Sequence, residues 1–399
     1  MNSQELAYVI ITPYSLHKSR TGGIIARLIT RTGLDLVAAR MFAPSIELVA
    51  EYARAVVSGN DPQDRRIQEL IREYVEHNLA PDPKSGRRRR VMMLLFQGED
   101  AVHKVRSVVG NISAERRGGE TIRDTYGDMV ADESGEVRYF EPAVLAAPQA
   151  DEARAKLAIW AKYSDQDGGI MRNTIEYLSS ERPEQTLVLI KPDNFKFPTG
   201  RPGNVIDFFS RTGLYIMGIK VHCMSVNQAL QFYKPVRDAL RTRLNDFVAE
   251  RAVSVLRQEF EFPIPPKDRE RLGQILGPLY GDHRFEQIVQ FMSGHAPGEF
   301  DPDRYDEPGT EKCIALVYEG VDAVRKIRDV LGPTDPSKAP PGSIRREFGE
   351  SIMINAAHAS DSVENARREI AIVNVAENHF KRVIEASCAE DQSQAQSSS

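Results

Sequence analysis

Cysteine is scarce in this chain, and the three present, Cys223, Cys313 and Cys388, are too few and too scattered for a disulfide framework. No Cys or His pair stands at zinc-ligand spacing, which removes the structural zinc folds. Apolar runs are short as well, none approaching the roughly 20 residues of a membrane-spanning helix. The opening MNSQELAYVIITPYS lacks the basic start and small-residue cleavage site of a signal peptide. A cytoplasmic protein with no membrane association is therefore the expectation. Neither charge sign dominates: 52 Lys and Arg face 57 Asp and Glu, for a net charge of −5, so no nucleic-acid binding driven by bulk electrostatics is expected. The local basic run of Arg87, Arg88, Arg89 and Arg90, lying between Pro-Lys-Ser-Gly and the strand-like VMMLLF, reads as a solvated loop.

What remains is an ordinary globular composition, 41% hydrophobic and 27% charged, in a chain of 399 residues that can bury two cores. Self-similarity divides it. VIITPYSL (residues 9–16) resembles VLIKPDNF (188–195), and RTGL recurs at 31–34 and 211–214, an offset of 180. FQGEDAVHKVRSVVG (96–110) matches YEGVDAVRKIRDVLG (318–332) at an offset of 222, so the order is kept while the second copy is longer between these elements. A first copy over residues 1–162, a linker over 163–185, a second copy over 186–388 and a disordered tail over 389–399 follow, the linker and tail from their Gly, Ser, Pro and polar content.

Each copy reads alike. The second begins with the β-branched strand VLIK, then the helix NVIDFFSRTG with a Gly stop, and a second strand, LYIMGIKVHCM. After helical material come a third strand, CIALVYEG, a short helix, DAVRKIRDVLG, a short strand, SIMIN, and a last helix, SDSVENARREIAIV. The alternation suits an α/β (α+β) class: two tandem ferredoxin-like βαββαβ domains, each an antiparallel sheet covered by helices.

The second copy resembles the nucleoside diphosphate kinase family. The resemblance rests on IKPDNF around Lys191, on YEGVDAVRKIRDVLGPTDPSKAPPGSIRREF (318–348), and on NAAHASDS (355–362), a variant of the family's N-x-x-H-G-S-D signature. It implies transfer of the γ-phosphoryl group of a nucleoside triphosphate such as ATP to a nucleoside diphosphate through phospho-His358. Glu369 matches the carboxylate that orients the imidazole, and Ser360 another site position. Arg328, Thr334 and Arg345 fall on phosphate-contacting positions, Lys191 on the lysine that reaches phosphates and ribose, Asn355 on the sugar ligand and Tyr233 on a tyrosine lining the site. Mg2+ is implied as cofactor, held by nucleotide oxygens and water with no protein metal ligands. The family assembles from dimers, so a homo-oligomer or an internal pseudo-dimer is implied. The chemistry suits these residue types, because phosphoryl transfer needs an oriented nucleophile and fixed positive charge more than acid–base machinery.

Taken singly each residue has a plainer reading. His358 could cap or pack, Arg328 and Arg345 could pair with Asp329 or Glu347, and Asp361 and Glu364 stand at capping-box spacing. Their joint occurrence favours catalysis over the alternative of an inactive nucleotide-binding scaffold, or over transfer from His358 to a protein acceptor. In the first copy an end offset of 213 sets Leu145 against His358, Ala147 against Ser360, Lys156 against Glu369 and Pro142 against Asn355, while Thr12 meets Lys191. Only Arg106 and Arg123 survive, opposite Arg328 and Arg345, so the first copy reads as catalytically dead. Asn194 and Ala359 stand where the family has glycine and are the positions where a positive φ is suspected. Residues 234–284 are much longer than the family's short clamp, which leaves Phe285 or Arg284 as candidates for base stacking.

Overall fold

The computed structural model describes residues 4–59, 64–113 and 118–397. Its ten strands are β1 (Glu5–Ile11), β2 (Asp35–Phe42), β3 (Val91–Gly98), β4 (Asp128–Ala131), β5 (Val137–Glu141), β6 (Val144–Ala146), β7 (Pro183–Ile190), β8 (Tyr215–Cys223), β9 (Lys312–Val321) and β10 (Ala357–Ala359). One four-stranded sheet has the order β2-β3-β1-β6, the other β8-β9-β7-β10, which is the same order in the second copy. β1 runs antiparallel to β3 and β6, and β7 to β9 and β10. This is the ferredoxin-like arrangement expected. β4 and β5 form a separate hairpin in the first copy alone.

The central strands are apolar because both faces are covered: Val9, Ile10 and Ile11 of β1 and Leu187, Val188, Leu189 and Ile190 of β7 are fully buried. Each RTG ends its helical segment as read, with Gly33 at φ 64° and Gly213 at φ 68° closing left-handed caps.

Both copies belong to one compact unit, Met1–Val221 with Ile314–Ser399. They meet through equivalent helices, Thr21–Thr32 and Arg201–Phe209, and the crossing is glycine on glycine. A Cβ on Gly203 would lie 2.3 Å from the Gly22 carbonyl oxygen, and one on Gly22 2.5 Å from that of Gly203. The same helix of each repeat thus meets its counterpart, as at a twofold dimer interface.

The insertion in the second copy, His222–Cys313, forms a unit by itself. It holds three long helices, Val226–Arg243, Asn245–Phe260 and Pro266–Ser293. Ser225 and Gln228 make a capping box at the first, and the segment EFPIP (residues 261–265) separates the other two.

Four expectations are corrected. SIMIN is not a strand: the Ile354 carbonyl accepts from the amides of Glu350 and Ser351, closing a turn, and the fourth strand is β10 just beyond it. The arginine run is a loop, as expected, with Arg88 exposed, but its side chains are not merely solvated. Arg88 pairs with buried Asp167 at 2.8 Å, Arg87 with Glu176 at 2.8 Å, and Arg90 donates to the Ile216 carbonyl at 2.5 Å beneath the Tyr215 ring. These ties fasten the first copy to the linker and to the second copy. The helix Ala150–Asp167 and β7 both extend into residues 163–185, which shortens the linker. Finally, residues 389–397 of the segment expected as a disordered tail continue the helix His379–Ser397, while residues 398 and 399 lie outside the described residues.

Candidate functional site

β10 is a short edge strand on β7, with His358 opposite Leu189 in its register. The helix Val363–Val373 follows at once, capped by Ser362, whose side chain accepts from the Asn365 amide. The expected Asp361–Glu364 capping box is therefore replaced by a Ser362 cap, and Asp361 instead accepts from the Asn365 side chain at 2.6 Å. Strand, turn and helix bring His358 and Glu369 together: Nε2 donates to Glu369 Oε2 at 3.0 Å. Ser360, fully buried, donates to the same oxygen at 2.6 Å, and Arg368 lies 3.4 Å from Oε1. Glu369 is only 5% exposed, so these donors keep a buried carboxylate satisfied and fix its direction. Commitment of Nε2–H to Glu369 selects the tautomer whose lone pair is on Nδ1.

Lys191 ends β7 and turns its ammonium onto Asn355 Oδ1 at 3.0 Å and the Met353 carbonyl. Burial, and secondarily Arg345, pull its pKa down to about 8, against the attraction of Asp193. Asn355 donates to the carbonyls of Ile352 at 2.7 Å and Thr334 at 3.2 Å. Arg345 lies on the short helix Ile344–Phe348. It donates to the carbonyls of Gly332 at 3.0 Å and Ala357 at 3.3 Å and approaches Thr334 Oγ1 at 3.5 Å. Arg328 is exposed on the helix Ala323–Leu331, where Asp329 pairs with Arg325 at 3.4 Å; its charge, after the Asn365 hydrogen bond and against burial, helps hold Asp361 below the usual carboxylate range. The structure thus forms two clusters, His358 with Glu369 and Ser360, and Lys191 with Asn355, Thr334 and Arg345, the second reaching the first through the Arg345 bond to the carbonyl of Ala357 beside His358.

Tyr233 belongs to the helical unit, where it is 7% exposed and packs on Phe232 with ring centroids 4.9 Å apart. Phe285 is buried there under the Arg237 guanidinium, and Arg284 donates to Gln287 at 2.7 Å. Neither suspected glycine replacement is left-handed. The residue at positive φ is Ala356, at 69°. Asp193 and Arg201, missed in the sequence, hold that residue together with Asn194: Asp193 accepts from the Ala356 amide at 3.1 Å and pairs with Arg201 at 3.2 Å. The only signal for Asp193 was adjacency to Lys191 in KPDN; Arg201, at the start of the next helix, had none.

The first copy repeats the frame without the chemistry. Leu145 is 2% exposed on β6 at the place of His358. Lys156, at the place of Glu369, is buried and paired with Glu152 at 2.5 Å. Thr12, at the place of Lys191, donates to Glu141 at 2.9 Å, and Tyr74 donates to the other oxygen of that carboxylate at 2.6 Å. Burial raises the Glu141 pKa above the usual range. Arg123 is drawn down to about 10 by burial and by Arg106 beside it.

Among the described residues no group of three or more His, Cys, Asp or Glu side chains could hold a metal ion, and no helix is long and apolar enough to cross a membrane. A magnesium ion carried in on nucleotide phosphates needs no protein cage, so this donor set is compatible with metal bound through nucleotide and water.

Comparison with known proteins agrees with the repeat and its motifs. The family model described as nucleoside diphosphate kinase matches residues 280–378. A nucleoside diphosphate kinase of Campylobacter fetus is 32% identical over 188 residues, covering 47% of this chain and 93% of the relative. One of Wolinella succinogenes is 49% identical over 82 residues, 21% of this chain, and that match spans 60% of the relative's length. Among solved structures, an NDP kinase from Pyrobaculum aerophilum is 26% identical, covering 48% of this chain and 95% of the other at a TM-score of 0.34. The fold assignment rests on the strand order above, not on that score.

Proposed function

The chain belongs to the nucleoside diphosphate kinase family, and from that premise we propose that its second copy is a phosphotransferase that shuttles a γ-phosphoryl group through His358. The observation that carries the reading is the Nε2 hydrogen bond of His358 to Glu369, with Ser360 on the same oxygen. A binding scaffold has no use for a histidine held in one tautomer. A nucleophile does.

In the first half-reaction the Nδ1 lone pair attacks the γ-phosphorus of a nucleoside triphosphate. The N–P bond forms as the bond to the β-phosphate oxygen breaks, and nucleoside diphosphate leaves with that electron pair. Nε2 keeps its proton, and Glu369 balances the positive charge that the phosphorylated ring acquires. A second nucleoside diphosphate then attacks in reverse. Lys191, Arg345, Thr334 and Arg328 supply donors and positive charge for the phosphates, and Asn355 holds Lys191 through Oδ1, which has a second lone pair to accept from a sugar hydroxyl. Magnesium, entering with the nucleotide, neutralises phosphate charge.

The close packing of the two copies supports an internal dimer in which the first copy is the architectural partner. It takes no phosphoryl group, because leucine replaces the nucleophile and an uncharged threonine, Thr12, replaces the lysine. Purified protein given γ-labelled ATP and magnesium should acquire acid-labile, alkali-stable phosphate that GDP discharges, and His358→Gln should abolish both. Nucleotide binding without labelling would favour the scaffold reading instead.

A further inference from the structure

We infer that Asp193 and Asn194 are positioning residues for His358, acting through the left-handed peptide unit of Ala356. Ala356 is fully buried at φ 69°, two residues before His358 and immediately before β10. An L-residue with a Cβ disfavours this region and stays there only where its surroundings over-determine it. Here both of its peptide groups are tied to one turn. Its amide donates to Asp193 Oδ2 at 3.1 Å, and its carbonyl accepts from Asn194 Nδ2 at 2.7 Å and from the Lys191 amide at 2.9 Å. Arg201 steadies the turn, pairing with Asp193 at 3.2 Å and donating to Asn194 Oδ1 at 3.0 Å and to the Phe348 carbonyl.

The first copy gives independent support. Ala143, two residues before Leu145, is also left-handed, at φ 61°. Its carbonyl accepts from Ser15 Oγ at 2.9 Å, and Ser15 is the repeat counterpart of Asn194. Its amide also donates to a carboxylate, but that of Glu141 at 3.0 Å, because Tyr14 stands at the place of Asp193. The geometry is kept while the residue supplying the acceptor has changed. What the turn preserves is the direction in which the chain enters the fourth strand, and in the second copy that direction aims the imidazole at Glu369.

The inference rests on His358 being the phosphoryl carrier, and the test separates the two ideas. Asp193→Ala should slow labelling of His358 by γ-labelled ATP about tenfold, through kcat with KM little changed. Asp193→Ala with Ala356→Gly should recover most of the rate, since glycine enters φ > 0 freely. Asn194→Ala, which leaves the Asp193–Arg201 pair intact, should give a smaller loss in the same direction and serves if Asp193→Ala does not fold. In parallel, the ring 15N resonances of His358 should report one tautomer in the unmutated chain, exchange averaging in Asp193→Ala and restoration in the double variant. Unchanged rates and resonances in Asp193→Ala and Asn194→Ala, or a loss that Ala356→Gly does not recover, overturn the positioning role while leaving phosphotransfer intact. Resonances that follow this pattern in a chain that never labels sustain the positioning role and sink phosphotransfer.

Discussion

Arg345 and its repeat counterpart Arg123 make the same two backbone hydrogen bonds. Arg345 donates to the carbonyls of Gly332 at 3.0 Å and Ala357 at 3.3 Å, and Arg123 to those of Gly110 at 2.7 Å and Val144 at 3.3 Å. The pattern persists in the copy that has no histidine, so bracing the fourth strand is part of this arginine's work wherever it stands. Truncation of either should cost about 1.5–3 kcal/mol of stability, the range for hydrogen bonds from a charged donor. Arg345→Ala should also cut phosphotransfer more than tenfold, an effect of phosphate contact, whereas Arg123→Ala should leave the activity of the folded fraction unchanged. Urea unfolding and label incorporation, measured side by side, check both; equal activity losses would contradict the division of roles.

Lys191 gives the site an alkaline limit. With its pKa brought down to about 8 by burial, its charge is present below that pH and lost above it. Because bound polyphosphate stabilises the charged form, the loss belongs to the free protein and should appear in kcat/KM rather than in kcat. We expect kcat/KM to fall about tenfold per unit above pH 8 in the limit where binding needs the ammonium. Lys191→Arg, which stays charged, should flatten that limb. An unaltered limb would mean that another group sets it.

A histidine alone should not revive the first copy. In a His358→Gln background, Leu145→His would place an imidazole near Lys156, which is already paired with Glu152. Thr12, which stands at the place of Lys191, is uncharged and already donates to Glu141, so no ammonium is present to draw a phosphate in. No acid-labile label above background is expected, and clear labelling would show that the first pocket admits nucleotide.

The sequence was most legible where function is local. His358, Ser360 and Glu369 lie within one strand–turn–helix, so a contiguous motif specified all three and the structure joins them. The paired offsets likewise exposed two equivalent sheets. What escaped depends on tertiary hydrogen bonds. The alternation in SIMIN has a strand's period, but the Ile354 carbonyl closes a turn and the Asn355 side chain donates back to Ile352. The left-handed residue was sought at Asn194 and Ala359 by analogy with glycine, yet φ at Ala356 is set by Asp193 from a distant strand end. The arginine run looked solvated because its partners, Asp167, Glu176 and the Ile216 carbonyl, lie 79 or more residues away in sequence.

The seam between the copies makes the last prediction, because it asks whether the tandem arrangement is structural or merely a fusion. Gly22 and Gly203 sit where the helices cross, and a Cβ on Gly203 would also lie 2.4 Å from the Ala26 amide nitrogen. Those neighbours are backbone atoms, which cannot rotate away as a side-chain end could. Gly203→Ala must therefore push the helices apart, at a cost of about 1–3 kcal/mol typical of overpacking. Helix propensity alone would favour alanine by up to about 1 kcal/mol, so the sign of the change discriminates. If the copies hold each other in solution as they do here, Gly203→Ala lowers the urea midpoint and Gly33→Ala, at an open cap with nothing within 4 Å, does so only through its left-handed φ. Since His358 and Glu369 lie in the second copy alone, the labelling of folded Gly203→Ala should remain, separating the role of the first copy in stability from any role in the chemistry.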